Sequence, residues 1–141
     1  MFSIKSKNYK PIYFLCGEET YYIDRISDLI ESSVLTEDEK SFNQVVLYGR
    51  DTTVEEIVST AKRFPMMADY QVVIVKEAQN LSKTFEKFES YAVNPQLTTI
   101  LVFAYRDKPD GRKKIFKSVN KVMYESFEKG GFSFEDYIKR I

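Results

Sequence analysis

"PIYFLCGEETYYID" (residues 11–24) is the stretch on which the fold of this chain turns. "PIYFLC" is a short apolar run that stops at Gly17, the pattern of a strand buried on both faces. Beyond the glycine the pattern turns helical. Tyr22, Ile23, Ile26, Leu29 and Ile30 fall at helical spacing across residues 17–33, and Glu18 and Glu19 stand where the helix dipole favours acids. A strand that passes through glycine into a helix is where an α/β protein would carry a phosphate loop. That loop reads G-x-x-x-x-G-K-[ST], because glycines let backbone amides cradle phosphate while the lysine neutralises it. Residues 17–24, "GEETYYID", offer one glycine, no lysine and no hydroxyl at the required place. Glu18 and Glu19 would repel phosphate.

The alternation continues outward from this stretch. Strand patterns are expected at residues 43–49, 71–75, 98–105 and 121–127. Helix patterns are expected at residues 51–64, 81–92 and 110–120, and a last one opens at residue 133 with Ser133 as N-cap. In the second helix Thr53 and Glu56 form a capping-box pair, and Val54, Ile57, Val58, Ala61 and Phe64 make one apolar face. In the third, Leu81, Phe85 and Phe88 point inward. Strands alternating with helices give an α/β domain with a mainly parallel sheet covered on both faces. No repeat or linker divides residues 1–141, which read as a single domain. The chain ends inside a helical pattern, as expected of a piece that another domain follows; a complete domain ending on a docked helix is the alternative.

Composition narrows the chemistry. A chain of 141 residues buries roughly 68–70% of its unfolded surface and needs no staple. Lys+Arg and Asp+Glu are both 21, so a general electrostatic grip on DNA or membrane is not expected, although a local patch is compatible. There is one cysteine, Cys16, and no histidine. That removes internal disulfides, the usual zinc sites and histidine-dependent nucleophilic chemistry. Cys16, at the end of an apolar strand, reads as a buried small hydrophobe. No apolar stretch approaches membrane-spanning length and no secretory core opens the chain, so a cytoplasmic protein is expected. Asp24, Asp28, Asp51 and Asp69 are scattered as on solvated faces, and after the third strand only Glu77 could serve a magnesium ion. No catalytic, cofactor-binding or metal-binding residue is assigned.

Two features remain. Residues 63–71, "RFPMMADYQ", place Phe64, Pro65, Met66 and Met67 on a short connection. The methionines either fold back on their own core or plug a partner's pocket; adjacent side chains rarely point the same way, so at least one should be exposed. Phe64 falls on the apolar face of the second helix and is expected in the core first. The basic run Arg106, Lys108, Arg112, Lys113, Lys114 and Lys117 is either a solvated helix face or a contact for DNA or an acidic partner.

"PIYFLCGEETYYIDRISDLI" (11–30), "FPMMADYQVVIVKEAQNLSK" (64–83), "DKPDGRKKIFKSV" (107–119) and "SFEDYIKRI" (133–141) together resemble, in that order, the N-terminal domain of the delta-subunit family of bacterial DNA polymerase III. The resemblance runs from about Lys10 to the end. It implies a P-loop NTPase-like, clamp-loader ATPase-type domain with a five-stranded parallel sheet in the order 5-1-4-3-2 and a degenerate nucleotide site. It implies a subunit that does not hydrolyse ATP, in agreement with the missing phosphate loop, and that serves a DNA polymerase (nucleotidyltransferase) complex in replication. It implies further lid and collar domains in the whole protein. The implied partners are the beta sliding clamp, the delta prime and gamma/tau subunits, and DNA through the assembled complex. Delta subunits wedge into the clamp with an apolar pair, commonly Leu-Phe, on the connection between the second helix and third strand, and favour ring opening. On this chain the pair falls on Met66 and Met67, with Phe64 and Pro65 beside it and Phe64 the other candidate anchor. Two flexible thioethers in place of Leu-Phe are a departure from the family pattern.

Overall fold

The computed structural model describes residues 9–17 and 20–107, and the backbone of residues 124–126. Five parallel strands carry the architecture: β1 (Ile12–Cys16), β2 (Gln44–Tyr48), β3 (Gln71–Lys76), β4 (Thr99–Tyr105) and β5 (Tyr124–Ser126). They lie in the order β2-β3-β4-β1-β5. For the first four strands this is the expected 1-4-3-2; β5 adds three residues beside β1, pairing Phe14 with Tyr124 through Cys16 with Ser126. Residues 18–19, 108–123 and 127–141 lie outside the described part. So do the expectations that fall on them: the acids Glu18 and Glu19, the basic helix of residues 110–120 and the helix capped by Ser133.

Successive side chains of a strand face opposite ways, so each central strand feeds two cores. On one face Ile12, Phe14, Val73, Val75, Leu101, Phe103 and Tyr105 pack with α3 (Val54–Ala61) and the segment from Ala78 to Ala92. On the other, Tyr13, Leu15, Val72, Ile74, Ile100 and Val102 pack with Ile23, Ile26 and Ile30 of α1 (Thr20–Ser33). The near-continuous apolar runs of β1, β3 and β4 are therefore the signature of strands covered twice.

The third helix pattern forms differently from expectation. Residues 78–93 make two 3-10 turns, Ala78–Leu81 and Phe85–Phe88, and a short α4 (Glu89–Val93). In 3-10 geometry residues i and i+3 eclipse. That stacks Phe85 on Phe88 with centroids 5.5 Å apart and carries Tyr91 to within 5.4 Å of Phe88. The three rings then meet one sheet face, where Phe103 lies 5.1 Å from Phe85 and 4.9 Å from Phe88. Leu81, Phe85 and Phe88 are buried as their spacing predicts.

A further helix, α2 (Glu37–Asn43), falls where no element is expected. Its start is a full capping box: the Glu39 amide donates to the Thr36 hydroxyl at 3.3 Å and the Thr36 amide to the Glu39 carboxylate at 2.9 Å. At α3, the Thr53 hydroxyl accepts from the Glu56 amide at 3.1 Å, the first half of the expected box. Among the described residues no helix is long and apolar enough to cross a membrane.

Candidate functional site

The apolar connection is built by where α3 stops. The helix ends at Ala61 and does not run on to Phe64. Pro65 disfavours helical backbone at the residue before it, and side chains from the sheet take up the freed carbonyls. The Gln71 amide nitrogen reaches the carbonyls of Thr60 (3.0 Å), Ala61 (3.2 Å) and Arg63 (2.8 Å). Thr99 Oγ1 donates to Ala61 O at 2.6 Å, and Gln96 Nε2 donates to Arg63 O at 2.6 Å. Gln71 and Thr99 are buried, so these bonds answer polar backbone that would otherwise be stranded.

Outside the helix, Phe64 is 79% exposed. This corrects the core placement expected from helical spacing: the helix is shorter than its apolar pattern, so the last residue of the stripe is left outside it. Pro65 is half-buried, Met66 is 59% exposed and Met67 97% exposed. Both methionines thus face solvent, together with the neighbouring phenylalanine.

The connection is also held rigidly. The buried Asn43, at the end of α2, receives the Met66 N–H at 2.6 Å and donates to the Met66 carbonyl at 2.8 Å. The same amide donates to Glu39 O at 3.0 Å, tying the turn to α2. Met67 adopts φ 56°, a left-handed backbone that costs an L-residue with a long side chain about 1–2 kcal/mol. The backbone is thus fixed from within while its apolar side chains project outward. Burial of each methionine against a partner would contribute roughly 1.5–3 kcal/mol.

The carboxyl ends of the strands, where α/β proteins usually bind ligands, have another character. Arg106 Nη1 donates to both oxygens of Asp24 at 2.9 and 3.0 Å and its Nε lies 3.8 Å from Glu77. The backbone N–H of Arg106 donates to Gln79 Oε1 at 3.0 Å. A cleft of about 310 Å³ there is lined by Asp24, Ser27, Asp28, Tyr48, Lys76, Glu77 and Arg106. Its cations are engaged by carboxylates, an arrangement unsuited to a triphosphate. Asp51 and Asp69 are solvent-exposed, and Cys16 is buried. Among the described residues no group of three His, Cys, Asp or Glu side chains is placed to hold a metal ion. Arg112, Lys113, Lys114 and Lys117 lie outside the described residues.

The turn is legible in the sequence; its supports are not. Gln71, Gln96 and Asn43 carry no local signature, since the backbone groups they hold at this connection are 8 to 33 residues away. For α2, the Thr36–Glu39 pair was the available signal.

Comparisons with known proteins bear on this geometry. A family described as DNA polymerase III, delta subunit matches residues 13–127. DNA polymerase III subunit delta of Bacillus subtilis is 29% identical over 129 aligned residues, 84% of this chain and 37% of that protein. The solved structure of the Bacillus subtilis DNA clamp loader delta protein superposes with a TM-score of 0.80 at 28% identity, covering 89% of this chain and 40% of that one. A DNA polymerase III gamma subunit-related protein from Thermotoga maritima superposes with a TM-score of 0.58 at 12% identity, over 94% of this chain and 45% of that one, a likeness of fold alone. The chain spans less than half the length of these relatives.

Proposed function

We propose that this chain, which belongs to the DNA polymerase III delta-subunit family, is the clamp-binding domain of a non-ATPase clamp-loader subunit acting in the cytoplasm. It docks on the beta sliding clamp through residues 64–67 and favours the open ring for loading onto primed DNA. The observation that carries this reading is the pinned turn: Met66 is held by its backbone to Asn43 while Phe64, Met66 and Met67 stand exposed. A preorganised apolar projection avoids part of the ordering cost of binding. A ligand shifts an equilibrium only by its differential affinity for the two states. The domain therefore opens the clamp to the extent that the turn and its surroundings fit the loosened ring better than the closed one.

The domain is of the clamp-loader ATPase type with the nucleotide chemistry lost. Support comes from the absent phosphate loop and from the carboxylates that occupy Arg106. Nucleotide-driven rearrangement then belongs to the other loader subunits, delta prime and gamma/tau. The basic run Arg112, Lys113, Lys114 and Lys117 is a second contact, for DNA or an acidic partner; a salt-dependent loss of DNA affinity on charge removal tests it.

Ring opening is tested with a clamp carrying a fluorophore pair across one subunit interface. Addition of this chain without ATP lowers energy transfer if the reading holds. Saturated binding with unchanged transfer would reduce the domain to a tether, and no binding would overturn the reading.

A further inference from the structure

The turn is not an isolated apolar feature. Eight large apolar or aromatic side chains are exposed among the described residues: Tyr21, Phe42, Tyr48, Phe64, Met66, Met67, Val93 and Leu97. Tyr21 and Tyr48 lie at the carboxyl edge of the sheet, just after β1 and at the end of β2. The other six lie on the segments that lead into β2, β3 and β4, at the amino edge. Those three strands are adjacent in the sheet and parallel, with Gln44 beside Val72 and Gln71 beside Thr99. Neighbouring strands run about 4.8 Å apart. The approach to β3 therefore stands between the approaches to β2 and β4.

Hydrogen bonds fix how close the flanks come. Asn43 grips Met66 N and O, and Phe42 is the next residue along, its Cα about 3.8 Å from that of Asn43. On the other side Gln96 donates to Arg63 O, and Leu97 is its chain neighbour. Phe42 is 73% exposed and Leu97 74%. Single exposed apolar residues need no explanation, but contiguous ones mark interaction surfaces.

We infer that Phe42 and Leu97 form two shoulders of one docking face centred on residues 64–67, and that a single partner covers all three segments. This rests on the function proposed for the turn, so the occupant is the sliding clamp. Interface area points the same way. A stable protein–protein contact buries about 800 Å² on each partner, and a four-residue turn falls well short of that. A phenylalanine alone can bury about 150–250 Å², so shoulders continuous with the plug bring the face toward the required size. In such an interface the plug supplies most of the energy and the shoulders exclude water around it.

The experiment titrates the purified clamp with this chain and three variants: Phe42→Ser/Leu97→Ser, Met66→Ala/Met67→Ala, and Tyr48→Ser as the opposite-edge control. Thermal unfolding of each variant is followed in parallel. The shoulder variant is expected to weaken binding about three- to fivefold, less than the methionine variant, with unchanged unfolding, while Tyr48→Ser binds like the parent. As a readout free of mutation, clamp binding is expected to slow amide hydrogen exchange at residues 40–43 and 96–98 as well as at 64–68. Parental affinity in the shoulder variant, with exchange slowed only at 64–68, would overturn the inference and leave the turn reading intact. Weakening by the shoulder variant but not by the methionine variant would keep the face and remove the plug. Absence of binding by the parent chain would overturn both.

Discussion

The carboxamide of Asn43 holds the backbone of Met66 on both sides, accepting its N–H at 2.6 Å and donating to its carbonyl at 2.8 Å. The contact spans 23 residues of sequence and is part-buried, so it couples the end of α2 to the shape of the apolar turn. Removing the carboxamide leaves both Met66 groups without their partner. Asn43→Ala is expected to lower unfolding free energy by about 1–3 kcal/mol, read by urea denaturation. It is also expected to weaken clamp binding, because the turn must then be ordered on association.

Met67 separates function from stability. Its backbone is left-handed and its side chain almost fully exposed. Glycine accepts that backbone without a Cβ penalty, so Met67→Gly is expected to leave the fold as stable as the parent or stabilise it by up to about 1 kcal/mol. Clamp affinity is expected to fall in the same variant. A loss of both together would show that Met67 serves its own fold.

Phe85 anchors the layer opposite α1. It is fully buried and meets Phe14, Phe88 and Phe103 at centroid distances of 5.4, 5.5 and 5.1 Å. Phe85→Ala is expected to cost about 3–5 kcal/mol, measured as a lower denaturant midpoint.

The alkaline pH response comes from tyrosines. Burial raises the phenol pKa of Tyr9, Tyr91 and Tyr105 above the ordinary 10.0; nearby Tyr13 and Tyr70 add to the effect at Tyr9, and Asp107 adds to it at Tyr105. A raised folded pKa means that the unfolded chain releases its protons first as pH rises. Their contribution to stability is thus complete below about pH 10 and is lost as pH climbs through the folded values. With no histidine in the chain, no imidazole titrates near neutrality. Thermal unfolding at pH 7, 9 and 11 is expected to show little difference between the first two and a marked drop at the third.

What could be seen in the sequence was what periodicity records. The double-faced strands β1, β3 and β4, the apolar stripes of α1 and α3, and the absence of a phosphate loop are all matters of local pattern. The turn at residues 64–67 was visible because Pro65 interrupts a helical stripe. Phe64 escapes the core that its spacing predicts because the stripe continues in sequence after the helix has stopped: Pro65 disfavours helical backbone at Phe64, and Gln71, Thr99 and Gln96 capture the last carbonyls from other strands and their approaches. The break of residues 78–93 into 3-10 turns is not legible either: the apolar spacing of Leu81, Phe85 and Phe88 suits both helix types, and the edge-on contacts of the two rings with Phe103 come from a distant strand. The shoulders Phe42 and Leu97 carry no signal until strand order brings their segments beside the turn.

The proposed docking makes the methionine turn the part of the chain that enters the clamp. The most direct measurement is titration of the beta sliding clamp with the parent chain and with Met66→Ala/Met67→Ala, circular dichroism establishing that both are folded. The variant is expected to bind at least about tenfold more weakly. Equal binding by the two chains would contradict it.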